Sequence, residues 1–309
     1  MFGSHLSVAG GMVNALTSAT ELGFDTVQVF TKNQRQWKAP ALKDSEAREW
    51  LSGLKDRGWE RRTVSHATYL MNCASPDADL FKKSAAMLIE ELNRCAALSI
   101  PFLVAHPGSH LGEGVEKGAA RIGKAAAEAF RKGAGVAGAF RVTLCLENTA
   151  GGGATMGRTF EELALVKQAI DDASQGDADG RVGFCVDTCH ALAAGYDLRG
   201  GTPPKAAGAG RARQREACRA VLNEFDRVCG LGLLRVLHLN DSKGALGSRL
   251  DRHTHLGMGE VGLGAFQEIV SDARLRDVPM ILETPKEDDE KGRAWDTVNL
   301  GVLRRLAKG

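Results

Sequence analysis

The sequence has no run of 18 apolar residues, and it does not begin with the basic and then apolar segments of a secretory signal. It also has no Cys-x-x-Cys pair. Its seven cysteines are scattered and odd in number, which argues against a disulfide framework. We therefore expect reduced thiols in a cytoplasmic protein that contacts no membrane. Cys145 and Cys185 lie within apolar runs and are predicted to be core thiols.

A large excess of one charge is absent as well, because 40 Lys and Arg oppose 38 Asp and Glu for a net charge of +2. A surface that binds nucleic acid would therefore have to be a local patch. The hydrophobic content of 43% is typical of a globular protein with a full core. Composition does not change along the chain, which predicts a single domain over residues 1–309. Residues 197–212, rich in Gly, Pro and Ala over Gly200–Gly210, are predicted to be a surface insertion.

Short apolar runs alternate eight times with helical patterns. The predicted strands are Phe2–Ser7, Thr26–Phe30, Thr63–His66, Phe102–His106, Thr143–Glu147, Val182–Asp187, Leu234–Asn240 and Pro279–Glu283. The predicted helices are Met12–Leu22, Ser45–Arg57, Asp79–Leu98, Val115–Val136, Phe160–Asp171, Arg211–Val228, Phe266–Asp272 and Trp295–Leu306. Helical crossovers imply parallel strands, and eight such units predict a (β/α)8 TIM barrel. The alternative is an open doubly wound sheet, but no Gly-rich dinucleotide-binding turn follows the first strand.

Histidines and carboxylates collect at the ends of these strands. All eight histidines lie at or just beyond a predicted strand end: His5, His66, His106, His110, His190, His238, His253 and His255. Three carboxylates occupy equivalent positions: Glu147, Asp187 and Glu283. The carboxyl ends of parallel barrel strands share one rim, where active sites are built. A single histidine there is more often a core residue, but so many separate buried charges would each need a partner. A shared metal site satisfies them jointly.

The segment Leu237–His253 carries this pattern most densely. An apolar strand leads into His238 and Asp241, and a Gly/Ser loop then closes with Asp251 and His253. Imidazole and carboxylate ligands without thiolate suit Zn²⁺, Mn²⁺ or Fe²⁺ in a catalytic site with open positions. We count nine candidate ligands among these histidines and carboxylates. They exceed the needs of one or two ions, so we infer three, a cluster suited to hydrolysing phosphate esters without a covalent nucleophile.

The sequence resembles the endonuclease IV family, the zinc-dependent apurinic/apyrimidinic endonucleases, along nearly its full length. Three blocks carry the resemblance: His66–Ala74 (HATYLMNCA), Gly183–His190 (GFCVDTCH) and Leu237–His253. Supporting blocks are Phe30–Trp37 (FTKNQRQW), His106–Leu111 (HPGSHL), Glu147–Ala150 (ENTA) and Ile281–Thr284 (ILET). Two positions depart from the family: Ala67 stands where Asp is frequent, and Met258 where Glu is common. His255 has no counterpart in the family pattern.

The resemblance implies a barrel that holds three zinc ions, with Mn²⁺ or Fe²⁺ as possible replacements. The implied ligands are His66, His106 and Glu147 for the first ion, Glu147, Asp187, His238 and Glu283 for the second, and His190, Asp251 and His253 for the third. Glu147 would be the catalytic carboxylate, since the attacking hydroxide would bridge the first two ions beneath it.

The implied activity is DNA repair. Family members hydrolyse the phosphodiester 5′ to an abasic site in duplex DNA, leaving a 3′-hydroxyl and a 5′-deoxyribose phosphate, and they trim blocked 3′ ends. Added Mg²⁺ is not expected to be needed. One lesion needs only a monomer, which would be cytoplasmic and associated with the nucleoid when it acts on DNA.

The resemblance also implies residues that contact DNA. Arg35, Tyr69 and Leu70 would fill the gap left by a flipped abasic nucleotide, which costs less to extrude than a normal one. Asn33, Gln34, Arg35 and Lys243 would contact phosphate or sugar. For Tyr69 and Leu70 the alternative is ordinary core packing, and for the polar residues it is a solvated loop.

Two other functions remain open from the residues. A metal-dependent sugar isomerase or epimerase on the same barrel would use one ion at Glu147, Asp187, His238 and Glu283, and would have no use for the remaining ligands. A DNA-lesion binding protein without catalysis would be expected to have lost a ligand, and none is lost. A metal count separates the first from the nuclease.

Overall fold

A computed structural model of the protein describes residues 1–132 and 141–308, and within them eight parallel strands close into a barrel. The barrel strands are β1 (Phe2–His5), β2 (Thr26–Val29), β3 (Val64–His66), β4 (Phe102–Ala105), β5 (Thr143–Glu147), β6 (Val182–Asp187), β7 (Leu234–His238) and β10 (Met280–Leu282). They follow one another around the barrel in chain order, and β10 closes it between β7 and β1. The TIM-barrel prediction is confirmed, and the open-sheet alternative is wrong.

The helices fill the connections between the strands. They are α1 (Met12–Glu21), α2 (Asp44–Arg57), α3 (Ala78–Ala97), α4 (Val115–Lys132), α5 (Phe160–Ser174), α6 (Thr188–Ala194), α7 (Ala209–Cys229), α8 (Leu263–Ser271) and α9 (Trp295–Ala307). The remainder of the predicted helix Val115–Val136 lies outside the described residues. None of the described helices is long and apolar enough to cross a membrane.

Helix α6 was missed by the sequence prediction. Its seven residues follow β6 directly, so the apolar pattern reads as a continuation of the strand. The Asp187 carboxylate begins the helix by accepting a hydrogen bond of 2.8 Å from the His190 backbone N–H, which is an N-cap. Helix α7 starts at Ala209, two residues before the predicted helix Arg211–Val228.

The strand predicted to reach Asn240 ends in the structure at His238. The chain then forms a small antiparallel pair of β8 (Asp241–Ser242) and β9 (His253–Thr254), which the sequence did not predict. The Asp241 carboxylate holds the following loop by accepting hydrogen bonds from the backbone N–H groups of Gly257, Gly259 and Val261. This pairing returns the Asp251–His253 segment to the rim of the barrel.

Two apolar layers hold the barrel together. A small cluster contains Val64, Val104, Cys145, Cys185, Val236 and Ile281, all fully buried. A larger cluster includes buried side chains of the helices and of the strand faces that meet them. Strands buried on both faces explain why the sequence showed unbroken apolar runs. All seven cysteines are free and buried, as expected for reduced thiols.

Candidate metal centre

The nine candidate ligands all lie at the carboxyl ends of the barrel strands. Four of them end a strand: His66 ends β3, Glu147 β5, Asp187 β6 and His238 β7. His106 and Glu283 follow β4 and β10 by one residue. His190 lies on α6, Asp251 in the loop between β8 and β9, and His253 at the start of β9. The parallel register pairs Asp187 with His238, so the two side chains start from neighbouring positions. The fold brings together residues that are far apart in the sequence.

The ligand atoms fall into three groups, in each of which they lie within 4.8 Å of one another: His66, His106 and Glu147; Glu147, Asp187, His238 and Glu283; and His190, Asp251 and His253. In the first group, the Nε2 atoms of His66 and His106 lie 3.1 and 3.0 Å from Glu147 Oε2. In the second, His238 Nδ1 lies 2.9 Å from Glu147 Oε1 and 3.1 Å from Glu283 Oε2. Glu147 is shared, with one oxygen turned toward each group.

The third group lies on the more open side. Both His190 Nε2 and His253 Nε2 approach Asp251 Oδ1, at 3.3 and 3.4 Å, and His253 Nε2 lies 3.5 Å from Asp187 Oδ2. Two tetrahedral ligands about 2.1 Å from an ion are about 3.4 Å apart. The separations in this group are therefore those of atoms that share one ion.

Two buried nitrogens support this fit. Within the described part of the chain, His190 Nε2 and His253 Nε2 have no hydrogen-bond partner, although each faces a carboxylate. Buried polar atoms without a partner are rare in native structures and call for an ion or another ligand. These two atoms have the placement that a divalent cation would satisfy.

Four histidines are also held in the tautomer that a metal requires. Nδ1 of His66, His190 and His253 faces a backbone carbonyl oxygen, at 2.7, 2.9 and 3.3 Å respectively. A carbonyl only accepts, so Nδ1 carries the proton and donates, and Nε2 keeps its lone pair toward the cluster. His238 is reversed, because its Nε2 donates to Gln28 Oε1 at 2.9 Å and its Nδ1 faces Glu147. This outer hydrogen bond is typical of metal-bound histidine.

The imidazoles and carboxylates of the cluster shift one another's pKa. Burial by itself raises the pKa of Glu147, but the imidazoles of His106 and His238 outweigh burial and hold that pKa well below its ordinary value. Burial lowers the pKa of His190, but Asp187 and Asp251 together raise it well above its ordinary value. The His190 imidazole also lowers the pKa of Asp251 to about 2. Protons and metal ions therefore compete for the same imidazoles.

The sequence analysis did not identify three amides that orient the ligands. Gln28 donates from Nε2 to Glu283 Oε1 at 2.6 Å while it accepts from His238. Asn148 accepts from the Asp187 backbone N–H at 2.6 Å, and Asn240 donates to Asp187 Oδ2 at 2.6 Å. The one signal in the sequence was Gln28, a polar residue within the apolar run Thr26–Val29, which the structure shows to be buried.

Asn240→Ala is expected to weaken metal binding without removing a ligand. The Asn240 side chain donates to Asp187 Oδ2 at 2.6 Å and to Glu283 Oε2 at 3.4 Å, so its loss frees two carboxylates. Removal of such outer partners typically costs about 10–100-fold in metal affinity. Zinc dissociation into a competing chelator measures this. Gln214→Ala, which removes a buried amide that bonds Gly264 far from the cluster, is the control, and equal zinc loss by both variants would contradict the role of Asn240.

Three of the predicted DNA contacts, Asn33, Gln34 and Tyr69, line a cavity that is also lined by the ligands His253 and Glu283. Tyr69 is 60% exposed, which rules out the core-packing alternative for this residue. Its ring lies 5.1 Å from that of His66 and 5.8 Å from that of His106. Leu70 and Gln34 are half-buried, and the remaining contacts, Asn33, Arg35 and Lys243, are exposed. The cavity that Tyr69 lines has a volume of about 680 Å³, and the cationic side chains of Lys32 and Lys286 also line it.

The unusual positions have structural explanations that leave the centre intact. The backbone oxygen of Ala67 already accepts from His66 Nδ1, so orientation of that histidine needs no carboxylate side chain at position 67. Met258 is exposed on the loop held by Asp241. His255 is not part of the three groups but stacks on Trp295, with ring centroids 3.9 Å apart and planes 5° from parallel. It packs the loop against α9.

Comparison with known proteins agrees with this geometry. Residues 16–305 match the family described as a xylose isomerase-like TIM barrel. Proteins named probable endonuclease 4 from Chloroflexus aurantiacus and Methanoculleus marisnigri are 40% and 41% identical to the chain, covering 100% and 99% of it and 98% and 99% of their own length. The crystal structure of endonuclease IV from Thermus thermophilus superposes with a TM-score of 0.79 at 36% identity, covering 99% of this chain and 98% of that one.

A D-tagatose 3-epimerase-like protein also superposes, with a TM-score of 0.66 over 99% of this chain and 97% of that one. Its identity of 17% limits that likeness to the barrel itself.

Proposed function

Because the chain belongs to the endonuclease IV family and is a nuclease, we propose that its substrate is duplex DNA containing abasic sites or blocked 3′ ends. It hydrolyses the phosphodiester 5′ to the abasic site, leaves a 3′-hydroxyl and a 5′-deoxyribose phosphate, and trims 3′ ends. The observation that carries the proposal is the convergence of nine imidazole and carboxylate ligands in three groups beside an exposed aromatic residue. We expect it to act as a cytoplasmic monomer.

The cofactor we propose is three Zn²⁺ ions, one for each group, with Mn²⁺ or Fe²⁺ as replacements at one or more sites. The donor set supports this choice, because it has mixed nitrogen and oxygen ligands in a buried, carboxylate-rich pocket. When bound, the ions supply Lewis acidity toward a phosphodiester and make water a stronger nucleophile near neutral pH.

The protein contributes position and charge. Glu147 is fully buried and shared by two groups, so it fixes their spacing and is the residue we assign to catalysis. Asn33, Gln34, Arg35 and Lys243 are exposed or half-buried polar side chains, and we assign them phosphate or sugar contacts. Because the net charge of the whole chain is only +2, a surface that binds DNA has to be a local patch, and we assign that patch to these four residues.

Tyr69→Ala is expected to reduce preference for abasic over intact duplex by about tenfold, since stacking on an aromatic side chain is worth about 1–3 kcal/mol per base. Tyr69 is exposed beside His66, where it can fill a gap in a helix but contributes little to the core. The ratio of the two dissociation constants, at one salt concentration, measures the effect. Leu165→Ala, on helix α5, removes another exposed apolar side chain as the control. An unchanged ratio for Tyr69→Ala would show that Tyr69 is not the wedge.

The proposed activity is tested by incubating the protein with a duplex that carries one synthetic abasic site and with the matching intact duplex. Cleavage 5′ to the lesion, with a 3′-end that a polymerase extends directly, is the expected result. Extension establishes the 3′-hydroxyl, which cleavage on the other side of the lesion would not leave. Equal cleavage of both duplexes would contradict lesion specificity.

The epimerase alternative is not favoured. Its single-ion set is present, but five further ligands gather beside it in two additional groups. The catalytically silent alternative lacks support too, because no ligand is replaced. Binding of the abasic duplex without cleavage by zinc-loaded protein would restore that alternative.

A further inference from the structure

Two loops at the barrel mouth carry five of the six proposed DNA contacts, and neither loop has regular secondary structure. We name them the β2 loop (residues 31–36) and the β3 loop (residues 67–71). The β2 loop contains Asn33, Gln34 and Arg35, and the β3 loop contains Tyr69 and Leu70. Loops of this kind open at low free energy unless they are tied to the body of the protein. To keep one arrangement at the end of the barrel, the β2 loop and the β3 loop therefore need hydrogen bonds to the rest of the protein.

Glu91, on helix α3, contacts both loops through one carboxylate. Its Oε2 accepts a hydrogen bond of 3.2 Å from the Thr31 hydroxyl in the β2 loop. Its Oε1 accepts one of 3.3 Å from the Thr68 backbone N–H in the β3 loop. Lys32 Nζ lies 3.9 Å from the same Oε1, and both side chains are 1% exposed. Within residues 1–132 and 141–308, the Glu91 carboxylate forms its hydrogen bonds and ion pair with these loop residues and not with the proposed metal ligands.

One direct hydrogen bond also joins the two loops, and two others, one in each loop, hold the loops internally. The Thr68 hydroxyl donates to the Gln34 backbone oxygen at 2.5 Å and accepts from the Leu70 backbone N–H at 3.4 Å. Lys32 also donates to the Gln36 backbone oxygen at 2.9 Å. Thr68 immediately precedes Tyr69, so a shift of Thr68 moves the aromatic ring. The position of Tyr69 thus depends on Thr68, and the position of Thr68 depends on Glu91.

Stability alone is a poor reason for this arrangement. Burial raises the pKa of the Glu91 carboxyl, against the effect of Lys32 and of the two hydrogen bonds. Removing two charges from water offsets most of their attraction, so a buried pair is weak evidence for stability, whereas it does specify one geometry. An apolar pair of similar volume would hold the helix equally well but would not connect both loops to α3.

We propose that Glu91 is a positioning residue for lesion recognition, which holds the β2 and β3 loops in one arrangement so that Tyr69 and Arg35 meet the duplex together. This inference rests on the proposed function. It concerns a residue outside the metal centre that touches neither the substrate nor the ions. Its loss is expected to affect binding of the lesion far more than metal content or the chemical step.

The test compares Glu91→Ala with Glu268→Ala. Glu268 is a matched control, because it is also buried and its carboxylate pairs with Arg215 and Arg219 on α7. For Glu91→Ala we expect three zinc ions, a KM for abasic duplex raised about tenfold, and kcat changed by less than about threefold. Glu91→Gln keeps an oxygen that can accept from Thr68 N–H, so it should recover part of the loss. Glu268→Ala should leave KM unchanged.

A second readout is independent of DNA. Hydrogen exchange should speed up in both loops of Glu91→Ala and Glu91→Gln, and in neither loop of Glu268→Ala. Unchanged hydrogen exchange in the two loops would show that Glu91 does not hold them. Faster exchange with an unchanged KM would show that Glu91 holds the loops but has no role in lesion recognition. If the wild-type protein does not prefer abasic duplex, the proposed function fails, and the exchange result still decides whether Glu91 links the loops.

Discussion

Glu147→Gln is expected to abolish cleavage of abasic duplex while binding of that duplex changes little. Glu147 is the one residue shared by two of the three ligand groups, with His66 and His106 near Oε2 and His238 near Oε1. Glutamine has nearly the same shape but no negative charge, and its amide nitrogen has no lone pair for a cation. Loss of several kcal/mol of transition-state stabilisation corresponds to about 10³-fold in rate.

The rate of single-turnover incision measures the predicted loss of cleavage. The dissociation constant for uncleaved abasic duplex measures whether binding is retained. Metal content is determined on the same samples, so that loss of an ion is distinguished from loss of charge at a full site. Glu268→Gln, a neutralised carboxylate on the outer helices, is expected to cleave normally. Retained turnover by Glu147→Gln would remove Glu147 from the catalytic role.

Prolonged chelation is expected to eliminate cleavage, and Zn²⁺ without Mg²⁺ is expected to restore it. Glu147 and Asp187 are fully buried in one group with Glu283, and Asp251 adds a fourth carboxylate in another group. Without ions, only protons on the imidazoles balance these charges. The metal-free protein should therefore also unfold at a lower temperature, because ions that bind the folded state stabilise it by mass action.

Elemental analysis of the purified protein is expected to find about three metal ions per chain, one for each ligand group. A single ion without cleavage would favour the sugar epimerase. Three ions without cleavage would leave the centre in place and direct attention to other phosphodiesters. Cleavage that survives complete removal of metal would contradict the proposed mechanism.

Much of this architecture was predictable from the sequence because it depends on local burial. Each barrel strand is covered on both faces, so it appears as an apolar run, and the polar residue that ends the run marks the rim. His66, Glu147, Asp187 and His238 were identified as rim residues in this way, and the structure places each at a strand end. Helix α6 was missed since seven buried residues after a buried strand carry no change of pattern.

What only the tertiary structure decided are the relations between distant side chains. Gln28 and His238 are 210 positions apart, and their hydrogen bond selects the tautomer of His238. Glu91 is 60 positions from Thr31 and 23 from Thr68, yet it meets both. Periodicity records whether a residue is buried, not which residue it meets, because that depends on closure of the barrel and on register. The sequence by itself therefore determined which residues lie at the rim. The closed barrel decided which nitrogen each histidine turns toward the proposed metal ions, and which side chain holds the β2 and β3 loops.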